Sequence, residues 1–109
     1  MKQSFCVYGK VQAVMFRRTF CLGAKKRGFD AGATNSREDR DKVTCSLVGD
    51  REHVERFLEE LQVSSELNSW GAKVESIQLL DKFVSLERHE VTTENVEDKP
   101  WSTDVEFYI

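Results

Sequence analysis

Two stretches of this chain place apolar residues at helical spacing, and each lies between stretches that alternate. Val54, Phe57, Leu58 and Leu61 recur at i, i+3, i+4 and i+7, the buried stripe of an amphipathic helix. Asp50, just upstream, is a suitable N-cap. Phe16, Phe20 and Ala24 form a second such face, with Lys25, Lys26 and Arg27 at its end and Gly28 as a stop, which predicts a helix over 16–27. Gln3 to Tyr8 reads as a strand before it, with Phe5 and Val7 on one face. Phe29 to Ser36 is extended, small and glycine-containing. SREDRDK, residues 36–42, is a charged connection. Val43 to Val48 alternates as a strand, and Ala72 to Leu80 forms another, anchored by Val74 and Ile77. Beyond Asp81 the pattern fades. Phe83 to Val91 reads as a ribbon extension, Thr92 to Pro100 as acidic and exposed, and Val105, Phe107 and Ile109 as a last strand. No internal repeat is present.

Strand, helix, strand, strand, helix, strand is the order of a split βαβ unit. The expected fold is α+β: a ferredoxin-like sandwich with an antiparallel-rich sheet and two helices on one face. A length of 109 residues suits a single domain over 1–109 with one core. Such a fold hosts many functions and names none.

Net charge is -3, but the charge is unevenly spread. Residues 1–29 hold Lys2, Lys10, Arg17, Arg18, Lys25, Lys26 and Arg27 and no acid; all 19 acids lie from Asp30 onward. A basic first unit on an acidic chain favours one anionic site over a nucleic-acid track. No apolar run is long enough for a membrane span. MKQSFCVYGK has no apolar core or cleavage site, so no signal peptide is expected. Cys6, Cys21 and Cys45 are odd in number and unpaired in spacing. They read as small buried hydrophobes in a reducing cytoplasm, not as a disulfide or zinc framework.

The second helical stretch to be explained, 16–27, begins with two arginines. A helix N-terminus carries about half a positive charge, and a cation in its first turn costs about 0.3–1 kcal/mol. For Arg18 the expectation is that the side chain swings into water. For Arg17 an anion held between its guanidinium and the free amides of the preceding loop would satisfy donors, dipole and cation together. No acid lies between Gly9 and Arg17 to oppose this.

The segment V7-Y-G-K-V-Q-A-V-M-F-R17 resembles the signature of the acylphosphatases, Val-x-Gly-x-Val-Gln-Gly-Val-x-Phe-Arg. Gly9, Val11, Gln12, Val14, Phe16 and Arg17 match in register. A second family signature has an asparagine ending the second strand, a turn, a valine opening the next strand and a glycine six residues later. Asn35, Val43 and Gly49 stand at those places. The resemblance spans about residues 3–80. It implies hydrolysis of the carboxyl–phosphate bond of small acyl phosphates, with no cofactor, no metal and no covalent enzyme intermediate. It also implies that Arg17 and the backbone amides of Gln12, Ala13, Val14, Met15, Phe16 and Arg17 hold the phosphoryl group. Asn35 would aim the attacking water. The expected partner is a small acyl phosphate, with no nucleic acid or membrane, and the protein is expected to act as a cytoplasmic monomer.

Two departures stand out. Ala13 replaces a glycine of the signature, and the turn after Asn35 is longer than usual and lacks its Asp-Gly pair. They support a second reading, a catalytically weak or inactive domain of the same family that binds phosphate or a protein. A third reading, an RNA-binding RRM domain, starts from R27-G28-F29 and fails where Ala31 and Thr34 replace stacking aromatics. Judged without the family, Asn35 is a turn residue, and Gln12 braces the loop. Glu38, Asp39 and Asp41 form an exposed hairpin tip. His53 and His89 are surface residues, and Trp70 and Trp101 pack at the core's edge. Ser64 and Ser65 lack a histidine–acid pair that would make a nucleophile.

Overall fold

The computed structural model describes residues 1–109. Strands β1 (Lys2–Lys10), β2 (Asp30–Asn35), β3 (Lys42–Val48), β4 (Lys73–Leu79) and β5 (Val91–Thr92) form one sheet in the order β4-β1-β3-β2-β5. Every pairing is antiparallel. Helix α1 (Phe16–Lys26) follows β1, and α2 (Arg51–Val63) follows β3. This is the expected ferredoxin-like α+β sandwich, with a short fifth strand beside β2.

One sheet face carries Phe5, Val7, Ala31, Ala33, Val43, Cys45, Leu47 and Val74, all buried in one cluster with the inner faces of both helices. Period-two alternation puts these residues on the same side. Phe20 of α1 is the hub. Its ring stacks on Phe16 at 5.8 Å and on Phe57 of α2 at 5.8 Å, and meets Phe5 of β1 edge-on at 6.0 Å. Ala31 and Ala33 are small because α1 packs directly over β2. Asp50 caps α2 by accepting from the amide of His53. Asp39 accepts from the amide of Asp41 within the exposed turn, so this carboxylate shapes the turn, and no acid/base pair forms there.

The opposite sheet face is polar and covered. After β4 the chain crosses beneath β1, β3 and β2 before joining as β5. Ser4 Oγ accepts from the amide of Val84 at 2.8 Å, and Ser46 Oγ donates to the Val84 carbonyl at 2.7 Å. His89 lies at the end of this strap, 7% exposed. Its Nε2 pairs with Ser46 Oγ at 2.8 Å and its Nδ1 with Thr34 Oγ1 at 2.9 Å. A methyl group on Gly32 would meet the His89 ring at 2.6 Å, so this glycine lets the strap lie flat. His89 is therefore a buried bridge, contrary to the surface position expected. Its neighbours explain the burial, since hydroxyls from two strands take both ring nitrogens. The same strap covers the face on which an RRM stacks bases.

Other expectations for the C-terminal third also change. Residues 83–90 contain one short 3-10 turn (Leu86–Arg88) and no ribbon, and only Val91, at the start of β5, pairs as a strand. Thr93 and Val96 are buried, although Glu94, Glu97 and Asp98 are exposed as expected. The anticipated last strand is reduced to a single bridge between Asn68 and Phe107. Alternation over 105–109 is real, but its backbone bonds to the loop at 67–69, with Ser69 N–H donating to the Glu106 carbonyl and Tyr108 N–H to the Leu67 carbonyl.

Burial depresses the His89 pKa below its ordinary 6.5, and the nearby Glu90 carboxylate only partly opposes this. The unfolded chain takes up a proton near 6.5 while the folded one resists it, so folding stability should be lost as pH falls below about 6.5. Urea unfolding at stepped pH checks this; in a His89→Gln variant that part of the slope should vanish.

Candidate active site

The turn from β1 into α1 is held in an unusual shape. Gly9 has φ +142°, and a side chain there would strike the Lys73 carbonyl at 2.4 Å. Ala13 and Met15 both adopt left-handed backbone, at φ 63° and 61°. Met15 is the N-cap of α1 and offers no side-chain cap, and no acid lies in the first turn. As a result the N–H groups of Gln12 through Arg18 donate to no acceptor in the protein. Successive free amides beside left-handed residues are the kind of backbone that can nest an anion, and the helix dipole favours negative charge there.

Three side chains brace this loop. Gln12 Nε2 donates to the carbonyls of Ser36, Asp39 and Lys42 at 2.9, 3.1 and 2.8 Å. Its side chain is thus committed to structure, as expected, and ties the loop to the long charged turn. Asn68, fully buried, donates through Nδ2 to the Val14 carbonyl at 2.9 Å and to Thr19 Oγ1 at 2.7 Å. Its Oδ1 accepts from the amides of Trp70 and Ala72. Thr19 Oγ1 in turn donates to the Met15 carbonyl at 2.7 Å. Asn68 was not singled out from sequence. A lone asparagine in a loop gives no signal of which distant carbonyl it will reach.

Arg17 and Asn35 come together, and Glu90 joins them. Arg17 Nη1 donates to Glu90 Oε1 at 3.0 Å. The backbone amide of Asn35 donates to the same oxygen at 3.0 Å. The Arg17 Nη2 and Nε groups make no hydrogen bond within the protein and stay available. Asn35 Oδ1 is the one buried side-chain polar atom that has no partner in the protein. A buried acceptor left open calls for an explanation, and a donor brought by a ligand or water supplies one. Arg18 does not swing into water. It donates to the Ser102 carbonyl at 2.7 Å and lies 5.2 Å from the Phe107 ring, pinning the C-terminal segment across the start of α1.

Two recesses share Arg17 and Asn35. One, of about 540 Å³, is polar and includes Lys10, Arg40 and Asp41. The other, of about 160 Å³, is walled by apolar side chains, Trp70 and Trp101 among them. The tryptophans expected only at the core's edge thus also line a recess with Arg17 and Asn35. Trp101 packs against the core, while Trp70 is 38% exposed.

The remaining reactive groups stay apart from this chemistry. All three cysteines are buried and free. Burial pushes Cys21 up to about 12 and Cys45 well above 9.0, so both remain thiols. His53 is exposed beside Asp50. Nowhere do three or more His, Cys, Asp or Glu side chains converge as a metal-ligand set. No helix is long and apolar enough to cross a membrane.

Fold and site together define a ferredoxin-like α+β protein whose first βα turn leaves its amides unpaired beside one arginine. A sequence model of the acylphosphatase family matches residues 3–95, and the chain belongs to that family, whose members hydrolyse acyl phosphates. Among solved structures it is similar to the crystal structure of acylphosphatase from Bacillus subtilis. That match has 26% identity and a TM-score of 0.61, and covers 81% of this chain and 90% of the other. No curated protein matches it in sequence.

Two substitutions probe the geometry. Left-handed backbone at a residue with a Cβ costs on the order of 1 kcal/mol. Ala13→Gly should therefore raise the urea midpoint slightly, and Ala13→Val should lower it and weaken inhibition by inorganic phosphate. Glu90 and Arg17 are both partly exposed, so their pair contributes under about 1 kcal/mol to stability. Its effect should fall on catalysis instead. Glu90→Ala should lower kcat roughly tenfold by freeing Arg17 to wander; a rise in kcat/KM would show that the carboxylate competes with substrate.

Proposed function

We propose that the free amides of Gln12 to Arg17, with the Arg17 guanidinium, hold the phosphoryl group of a small acyl phosphate, and that Asn35 Oδ1 orients the attacking water. The observation that carries this is the unpartnered, buried Asn35 Oδ1 beside Arg17. An acceptor without a donor is suited to take one O–H of a water and so point its lone pair at phosphorus.

In this reading the water oxygen forms a bond to phosphorus as the bond from phosphorus to the acyl oxygen breaks. The acyl group leaves as a carboxylate with that electron pair. The water proton passes to a phosphoryl oxygen or to solvent, since asparagine cannot take it. Such a transfer needs positioning and charge stabilisation more than a strong base. Fixed amides and an arginine act where negative charge resides in the transition state, without reorganising. Within the Arg17 guanidinium, Glu90 engages Nη1 alone, which leaves Nη2 and Nε for two phosphoryl oxygens. Attack in line requires water and leaving group on opposite sides of phosphorus, and the two recesses that meet at Arg17 and Asn35 offer room for both.

The same reading takes the protein to act as a monomer in the cytoplasm. Three buried free thiols suit a reducing compartment, and the exposed large apolar residues are scattered from Met1 to Tyr108.

Steady-state hydrolysis of benzoyl phosphate and acetyl phosphate tests the assignment. Asn35→Ala should lower kcat by about a hundredfold or more, the scale of removing one group aimed at the transition state, while inhibition by inorganic phosphate stays within about twofold. Arg17→Ala should lose both turnover and phosphate inhibition. An Asn35→Ala enzyme with wild-type turnover would remove this residue from the mechanism.

A further inference from the structure

The apolar recess beside Arg17 and Asn35 has a composition that the phosphate chemistry does not require. Its walls are Val11, Ala13, Met15, Phe16, Trp70 and Trp101, and Arg17 and Asn35 are its only polar lining. Both indole N–H groups are turned to backbone acceptors: Trp70 donates to the Asp104 carbonyl and Trp101 to the Val96 carbonyl. Neither indole N–H is left to hydrogen-bond a ligand. The recess is thus polar at the end where the phosphoryl group would sit and purely apolar beyond it.

Its size is also informative. At about 160 Å³ it is close to the roughly 150 Å³ apolar cavity that accommodates a benzene ring. The charged residues near the loop, Lys10, Arg40 and Asp41, line the other recess. A highly polar or second-phosphate-bearing acyl chain would find no hydrogen-bond partner among these indoles, and burying it there would be costly.

We infer that this recess is the acyl subsite, and that the preferred substrates are acyl phosphates with a flat apolar acyl group the size of one aromatic ring. Trp70 and Trp101 determine that preference. This rests on the reading of Arg17 and the loop amides as the phosphate site. The chain runs from two separate regions to build the subsite. Asn68, which holds Val14, also fixes Trp70 through its amide. Arg18 at the start of α1 lies 6.0 Å from the Trp101 ring. Subsite and phosphate loop are therefore held by shared braces.

Apolar burial of the acyl group is made alike in ground state and transition state, so it should appear in KM more than in kcat. The wild type should show a KM for benzoyl phosphate about tenfold or more below that for acetyl phosphate. Trp70→Ala and Trp101→Ala should each shrink that ratio severalfold, and Trp70→Phe should restore most of it. Trp101 packs on the core, so Trp70→Ala, at the more exposed ring, decides the matter if Trp101→Ala fails to fold. Equal KM values in the wild type, or a ratio that Trp70→Ala leaves untouched, would overturn the subsite while leaving the hydrolase reading intact.

A second measurement separates the two readings. The chain has only these two tryptophans, so fluorescence excited at wavelengths that Tyr8 and Tyr108 do not absorb reports on the subsite. If neither acyl phosphate is hydrolysed, the proposed mechanism fails, and binding of the non-hydrolysable benzoylphosphonate judges the subsite. Saturable quenching by benzoylphosphonate at concentrations about tenfold below those needed for acetylphosphonate supports it; no difference between the two overturns it.

Discussion

A run of backbone amides from Gln12 to Arg18 with no acceptor in the protein is the constraint on which the site depends. Buried or half-buried N–H groups are costly to leave unpaired. The loop nevertheless holds them outward by placing Ala13 and Met15 in left-handed backbone. Much of the neighbouring structure prevents this loop from relaxing. Gln12 anchors it to the β2–β3 turn, Asn68 holds its Val14 carbonyl, and Thr19 holds its Met15 carbonyl. A donor-rich surface of this kind is stable only when rigid supports deny the amides a cheaper internal partner.

The second face of the sheet has an unexpected part in this. A strap of residues 83–90 crosses it through Ser4, Ser46 and Thr34 and ends on His89. The Glu90 amide donates to the same Thr34 hydroxyl that contacts His89. The polar network under the sheet therefore delivers a carboxylate to Arg17 and Asn35 on the other side of β2. Protonation of His89 would disturb a bridge only one residue from that carboxylate, so stability and site geometry share a support. The aromatic hub at Phe20 does the equivalent work above the sheet, fixing α1 and with it the end of the loop.

Arg17 and Asn35 could be nominated from sequence because each sits in a local motif, and the fold brings the two together at Glu90. The stretch from Gly9 to Arg17 and the order Asn35, Val43, Gly49 are short-range patterns. Glu90, His89 and Asn68 were not legible, since each acts on a residue 43 to 73 positions away. Nothing local marks a surface-like histidine as a bridge between two strands. Trp70 and Trp101 illustrate a partial reading. Packing against the core was foreseen and holds for Trp101, yet their convergence on Arg17 depends on two separate loops meeting.

By itself the sequence determined the order of elements through β4, the inward faces of both helices and of those strands, and the loop that carries the free amides. Those features rest on periodicity and on local backbone preference, which act within a few residues. Only the tertiary structure decided what surrounds that loop. The strap beneath the sheet, the Glu90 carboxylate against Arg17, the open acceptor on Asn35 and the indole-lined recess all arise from long-range packing. Such contacts form where chain geometry leaves room and an unpaired donor or acceptor, and neither quantity is written in any one segment.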